Sequence, residues 1–234
     1  MSLGRFLRHL ADNTCATSPA SQYRRERFRK FAEMIEQCPA PVKILDLGGT
    51  AAFWEAHRDL LKVEVKVTLL NQVFETRSEL AWITHVEGDG RWMTMFEDQA
   101  FDVCFSNSVI EHLGTLYDQV YMAREIRRVA RGYFVQTPNK WFPIEPHFLI
   151  PFWQFWPAWL RARLLMRRNI GYVGQVQDYF LAKATVESIR LLTKREMRWL
   201  FRDGEIFEEK LGPLTKSIVA WRAAGPPPGT SARP

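Results

Sequence analysis

Residues 43–52 read KILDLGGTAA and run straight into FWEAHRDLLK, and no other stretch of the chain limits its fold so tightly. Three apolar residues of a buried-strand type, Ile44, Leu45 and Leu47, carry one acid, Asp46, and stop at Gly48-Gly49. Phe53, His57, Leu60 and Leu61 then recur at helical spacing. Strand, glycine turn and helix in that order open a βαβ unit. The glycines let the backbone turn tightly and approach a ligand closely, and the N–H groups at the helix start offer donors to a polar or anionic group. A glycine pair after a strand is also an ordinary tight turn, so its weight depends on what comes next.

What comes next is a regular alternation. VEVKVTLLN (63–71) reads as a second buried strand ending on Asn71. In dinucleotide-binding folds an acid at about this distance bonds the ribose hydroxyls. An amide still accepts from one hydroxyl and donates to another. Because a neutral hydrogen bond contributes about 0.5–1.5 kcal/mol against about 1.5–3 for a charged one, the expected cost in affinity is about tenfold; Asn71→Asp should recover it if Asn71 faces the ribose, and should lose affinity if the amide's donor is in use. WITHV is the third strand and leads into Glu87-Gly88-Asp89-Gly90. FDVCFSN (101–107) is the fourth, followed by SVIEHL and a helix over 115–131 with Leu116, Val120, Ala123 and Ile126 on one face and Gly132 ending the run. YFVQ is the fifth and closes on Thr137-Pro138-Asn139. Further on, Thr193 and Glu196 form a capping box for a helix carrying Met197, Leu200 and Phe201. EIFEEKL and SIVAW then read as two strands around Gly212-Pro213. Alternating strands and helices require parallel pairing with right-handed crossovers, hence an α/β, doubly wound sheet with its ligand at the strands' carboxyl ends. Asp46 with Gly48, Asn71, Asp89 and Asn107 all stand at such ends.

Composition excludes several classes. The 234 residues are 47% hydrophobic and 25% charged, enough for one sizeable core. The net charge of +6 permits contact with nucleic acid or an anionic membrane surface, but much of it is local, in Arg24, Arg25, Arg27, Arg29 and Lys30 and again in Arg161, Arg163, Arg167 and Arg168. Cys15, Cys38 and Cys104 are odd in number and in no metal pattern, so a reducing compartment and no metal site are expected. MSLGRFLRHLA has too short an apolar part for a secretory signal, and no apolar run reaches the length of a membrane span. A cytoplasmic protein, in contact with a membrane only peripherally, is the expectation.

The series ILDLGG, LLN, EGDG, FDVCFSNSVIEHL and YFVQTPNKWFPIEPHF resembles a class I S-adenosylmethionine-dependent methyltransferase over roughly residues 40 to 222. The resemblance implies a mostly parallel seven-stranded sheet with an antiparallel last strand, and S-adenosyl-L-methionine as cofactor. Carried over, Asp46, Gly48 and Gly49, with Thr50 in a place where the family keeps glycine, would line the methionine part. Asn71 would meet the ribose, Asp89 with Gly90 the adenine, and Asn107 the sulfonium end. Ala52 replaces another of the family's glycines. The chain then divides into an N-terminal arm and covering helix (1–40), a methyltransferase domain (41–222) with an aromatic and basic insertion (138–180), and a disordered tail (223–234).

The insertion is the unusual part. Pro138, Pro143 and Pro146 make its start an extended, rigid loop leaving the fifth strand over the cofactor, so that residues 138–160 should wall the acceptor site. Its crowd of Phe152, Trp153, Phe155, Trp156 and Trp159 fits an inserted core helix, an apolar acceptor pocket, or a membrane contact through 148–168. Methyl transfer from a sulfonium asks the protein mainly to position the acceptor and, for a hydroxyl or acid, to handle a proton. His147 is the candidate base, Glu145 its polarising partner or an acceptor-binding group, and His112 and Glu111 are candidate contacts to acceptor or cofactor. A histidine merely hydrogen-bonded within the loop fits the same residues. Histidines 9, 57 and 85 read as packing or surface residues. The fourth strand ends SNSV, without the Asn/Asp-Pro-Pro-aromatic tetrapeptide of amino-methylating nucleic-acid enzymes, so a small-molecule or lipid-like acceptor is favoured over nucleic acid. The competing readings are a non-catalytic binding module of the same fold and an RNA methyltransferase.

Overall fold

A computed structural model of the chain describes residues 19–225. The expected arm over the first residues and the expected tail from residue 226 onward therefore lie outside the described residues, as does His9. The elements are α1 (Pro19–Ile35), β1 (Val42–Leu47), α2 (Ala51–Ala56), β2 (Val65–Asn71), β3 (Ile83–Glu87), β4 (Phe101–Asn107), α3 (Leu116–Val129), β5 (Ala130–Pro138), α4 (Ala158–Arg167), α5 (Tyr179–Glu187), α6 (Lys194–Leu200), β6 (Glu205–Leu211) and β7 (Leu214–Arg222). They build one seven-stranded sheet in the order β3-β2-β1-β4-β5-β7-β6. The first five strands pair in parallel, β7 runs antiparallel to β5, and β6 antiparallel to β7. The order reverses between β1 and β4, so a crevice opens at their carboxyl ends, where ligands bind in open α/β sheets.

Alternation along the strands sorts the core into two layers. Ile44, Val67, Phe105, Phe134 and Val219 face α1 and α2, where Phe28, Phe31, Ile35 and Trp54 are all buried. Leu45, Leu47, Cys104, Tyr133, Val135 and Ile218 face the other way, towards Met122, Ile126 and Val129 of α3 and Met197 and Leu200 of α6. Phe31 lies 4.6 Å from Phe105 and 5.6 Å from Phe134, ring centre to ring centre, which seats α1 across the sheet. Thr193 caps α6 with the reciprocal Glu196 bond that its spacing foretold.

Gly132 plays a different part from the one its position suggests. The helix ends at Val129 and Gly132 sits inside β5, opposite Val103. A Cβ there would lie 2.6 Å from the amide nitrogen of Ala224 and 2.6 Å from the carbonyl oxygen of Arg222. Glycine is required because the chain leaving β7 presses backbone to backbone on β5. Gly132→Ala is expected to destabilise the protein by about 1–3 kcal/mol in urea unfolding, since neither backbone can give way as a side chain would.

The insertion after β5 carries its own small core. Phe148, Trp153, Ala162, Leu165, Ile170, Ala182 and Val186 are buried together where α4 packs on α5. Trp153 is wholly buried and Trp156 is half-buried against the same cluster, so these tryptophans hold the insertion together and are not the exposed anchors of a membrane contact. The exposed aromatic residues here are Trp141, Phe152, Phe155, Trp159, Tyr172 and Phe180. No helix among the described residues is long and apolar enough to cross a membrane.

Candidate functional site

The carboxyl ends of β1, β2, β4 and β5 gather two groups of side chains around the glycine turn. Asp46 is buried, and its Oδ2 accepts from Trp54 Nε1 at 2.7 Å. Burial pushes its pKa up to about 7, against the lowering effect of that bond. The turn wraps this acid closely: a Cβ at Gly49 would lie 1.7 Å from Asp46 Oδ2. At Gly48, where φ is +72°, a Cβ would lie 2.6 Å from a methyl group of Val109. Only glycine fits either position, and Val109 links the turn to the segment after β4. Thr50 caps α2, accepting from the Phe53 amide at 3.2 Å.

Asn71 ends β2 and donates from Nδ2 to the Gly49 carbonyl at 2.9 Å. The amide's donor is therefore engaged in holding the turn, and its oxygen is the group left for a ligand. Of the two outcomes open for Asn71→Asp this favours loss, because the change would set a carboxylate against that carbonyl. Cofactor affinity measured by calorimetry is expected to fall about tenfold, the worth of one lost hydrogen bond plus the new repulsion.

Asp89 and Gly90 follow β3 in a turn. Asp89 accepts from the backbone, Nε and Nη2 of Arg91, the last at 2.6 Å, and Arg91 reaches Asp118 with Nη1 at 2.7 Å. Hydrogen bonds from Arg91 hold the Asp89 carboxyl below its ordinary value. Asn107 ends β4 and accepts at Oδ1 from Arg27 of α1. Arg27 is itself buried and paired with Glu209, Nε to Oε1 at 2.7 Å. Arg27 is a candidate site residue that sequence reading passed over inside a run of arginines. One signal could have found it: it stands four residues before Phe31 and so shares that residue's inward face.

The second group lies on the other side of Val109. Residues Ile110–Leu113 form a single 3-10 turn after β4, and Thr137, one residue before the end of β5, lies beside it. Glu111 is fully buried; Oε2 accepts from Thr137 Oγ1 at 2.9 Å, while Oε1 has no hydrogen-bond partner. Burial pushes its pKa up to about 7. Glu145 is also buried, with Oε2 accepting from the amides of His147 and Phe148 at 2.8 and 2.7 Å and Oε1 meeting His147 Nδ1 at 2.6 Å. Nε2 of His147 faces Nε2 of His112 at 3.2 Å. Burial works against charge on His147, and the Glu145 bond and the nearby carboxylates outweigh it, so its pKa is raised. The insertion clamps this loop: Tyr172 donates its amide to the His147 carbonyl at 3.0 Å, and Gly171 packs so close that a Cβ would lie 2.2 Å from that oxygen.

The residues singled out for chemistry, His112 with Glu111, Glu145 and His147, thus come together, and the structure adds Thr137 to them. Asp46, Gly48, Gly49 and Asn71 also meet, in a separate cradle joined to the first group through Val109. His57 packs on Phe28 and Phe53, and His85 accepts from the Ser78 amide, as packing residues do.

Residues 46–135 match the family model of a methyltransferase domain. An uncharacterized protein of Mycobacterium tuberculosis, matched in strains CDC 1551 and H37Rv, is 34% identical over 77 residues, which are 33% of this chain and 26% of that protein. The chain thus matches only about a quarter of the length of these curated relatives. Among solved structures, the PH0226 protein of Pyrococcus horikoshii OT3 superposes with a TM-score of 0.54 at 15% identity, covering 96% of this chain and 99% of that one. The CurJ carbon methyltransferase superposes at 0.56 and 11% identity, covering 96% of this chain and 59% of that one. These two likenesses concern the fold. Residues 46–135 are thus those of a methyltransferase domain, and the seven-stranded order with its glycine turn between β1 and α2 is the arrangement expected of the class I S-adenosylmethionine-dependent methyltransferases.

Proposed function

We propose that this protein methylates a small-molecule or lipid-like acceptor with S-adenosylmethionine. The residues of the cradle fit that cofactor. Asp46 is a desolvated acid with one side-chain donor, Trp54, and among the described residues no cation pairs with it. A ligand ammonium would supply the missing charge. The Gly48-Gly49 turn and the free oxygen of Asn71 offer backbone and acceptor groups beside it. When bound, the cofactor supplies a methyl group already activated on a sulfonium.

The observation that carries the reading is the meeting of Glu145 and His147 with Glu111 and His112, which follow two and three residues after Val109, the side chain against the glycine turn. Glu145 holds the Nδ1 side of His147, so Nε2 presents its lone pair, and His112 presents a second nitrogen opposite. This pair would receive the acceptor's proton-bearing atom: as the acceptor lone pair forms the new bond to carbon and the carbon–sulfur bond breaks, the proton leaves to the imidazole side. The clamp from Gly171 and Tyr172 fixes the loop, which is the positioning that a displacement reaction needs.

A lipid-like acceptor is favoured by the surface of the insertion. Trp141 and Phe155 stack in the open at 5.4 Å, and Trp159 stands beside Arg163 at 5.3 Å on α4. Exposed aromatics next to arginines suit a headgroup boundary. The test has two arms. Calorimetry with S-adenosylmethionine and S-adenosylhomocysteine should show saturable binding in the micromolar range, and its absence would indicate a module that has lost the cofactor. Radiolabelled methyl transfer into lipid and aqueous extracts should then label the lipid fraction. Trp159→Ala together with Phe155→Ala is expected to weaken binding to phosphatidylglycerol vesicles several-fold with calorimetric affinity unchanged. Undiminished vesicle binding in that variant would leave a soluble acceptor.

A further inference from the structure

The Glu111, His112 and His147 side chains converge in a way that proton transfer alone does not require. One ligand atom from each, two imidazole nitrogens and a carboxylate oxygen, all lie within 4.8 Å of one another. The two Nε2 atoms are 3.2 Å apart. Two ligands of a tetrahedral ion with metal–nitrogen bonds of about 2.05 Å are separated by about 3.3 Å, so the rings already stand at ligand spacing.

Each ligand is also prepared for the part. Glu145 takes the Nδ1 hydrogen of His147 at 2.6 Å and is itself fixed by two backbone amides. This is the carboxylate–histidine arrangement that sets ring orientation and leaves Nε2 as a lone pair for a metal. Glu111 is wholly buried with Oε1 unpartnered, a position that costs energy unless something meets it. Thr137 holds its other oxygen at 2.9 Å and so fixes the side chain. His112 is exposed, which leaves the cluster open on one side. Two histidines and one glutamate with an open position form the ligand set of catalytic divalent sites.

We propose that Glu111, His112 and His147 bind one divalent transition-metal ion, zinc or a zinc-like cation, with Glu145 as the orienting partner of His147. Its consequence for chemistry rests on the methyl-transfer reading: an acceptor oxygen at the open position would be made more acidic by the ion, and the histidines would act as ligands in place of the base. This also differs from the expectation of no metal site, because that expectation looked for cysteine spacing and the ligands here lie 35 residues apart.

The test uses the full chain stripped with a chelator and titrated with Zn²⁺ by calorimetry and with Co²⁺ by visible absorption. One equivalent of each should bind, with ligand-field bands for Co²⁺ of a four- or five-coordinate site. His112→Ala and His147→Ala should each weaken binding at least tenfold, and Glu111→Gln should weaken it and shift the bands. His85→Ala, a histidine on β3, should bind as the parent does. Circular dichroism and S-adenosylhomocysteine affinity show that each variant is folded. Absence of saturable binding in the folded parent, or equal affinity in folded His112→Ala, would overturn the proposal. Methyl transfer that survives complete chelation would overturn it too while leaving the methyltransferase reading intact. Metal binding without any cofactor binding would do the reverse.

Discussion

His147→Ala is expected to lower turnover by about two to four orders of magnitude while S-adenosylmethionine affinity stays within about twofold. The side chain meets Glu145 and His112 on the proposed acceptor side of Val109, and the proposed cofactor cradle is built from Asp46, the glycine turn and Asn71. Losing it should therefore act on the transition state and spare cofactor binding. The structure also limits the collateral damage. Glu145 keeps its bonds to the 147 and 148 amides, and the Tyr172 amide bonds the 147 carbonyl whatever the side chain. A purely structural role would instead lower the melting temperature, with activity following the folded fraction. Stopped turnover at an unchanged melting temperature separates the two.

Asp46→Asn is expected to move stability and binding in opposite directions. The folded carboxyl titrates at about 7 against an ordinary 3.8, because burial penalises its charge more than Trp54 relieves it. Below pH 3.8 the acid is neutral in the folded and unfolded chains alike and has no effect on stability. Between 3.8 and 7 the unfolded chain releases a proton that the folded chain keeps, so stability falls as pH rises; above 7 the penalty is complete. At about 1.4 kcal/mol per pKa unit that penalty is on the order of 4 kcal/mol. Asparagine removes it, and burial of the amide offsets part of the gain, so about 1–3 kcal/mol of added stability is expected at pH 8 and almost none at pH 4. Cofactor affinity should fall at least tenfold in the same variant, because the acid that awaits the ligand's ammonium is gone. Urea unfolding at the two pH values and calorimetry at the higher one check both halves. An unchanged affinity would place the ammonium elsewhere.

The two variants probe the two parts of the site that were legible to different degrees. The cradle was largely readable: a strand ending in Asp46 and two glycines, followed by a helix, needs only contiguous residues. The sense of the Asn71 bond was not readable, since whether an amide donates inward or faces a ligand depends on where the Gly49 carbonyl points. The acceptor side was half legible. Proline-rich residues 138–147 could be placed at the end of the fifth strand, and so Glu145 and His147 were named. The partnership of His147 with His112 and the burial of Glu111 beside Thr137 needed the turn after β4 to be folded against β5.

By itself the sequence determined the order of strands and helices and the edge of the sheet at which the glycine turn stands, while the antiparallel last strand was implied by the family resemblance. The first two follow from periodicities of two and of about 3.6 residues and from glycine and proline, signals carried within a few residues of one another. Only the tertiary structure decided the pairings made across the chain: Arg27 with Asn107 and Glu209, His112 with His147, and Gly132 beneath the segment leaving β7. It likewise turned Trp153 inward to the insertion's own core. Contacts between residues 35 to 182 positions apart carry no local pattern, because they exist only once the sheet order has brought the ends of β1, β4, β5 and β6 and the helix across them to one place.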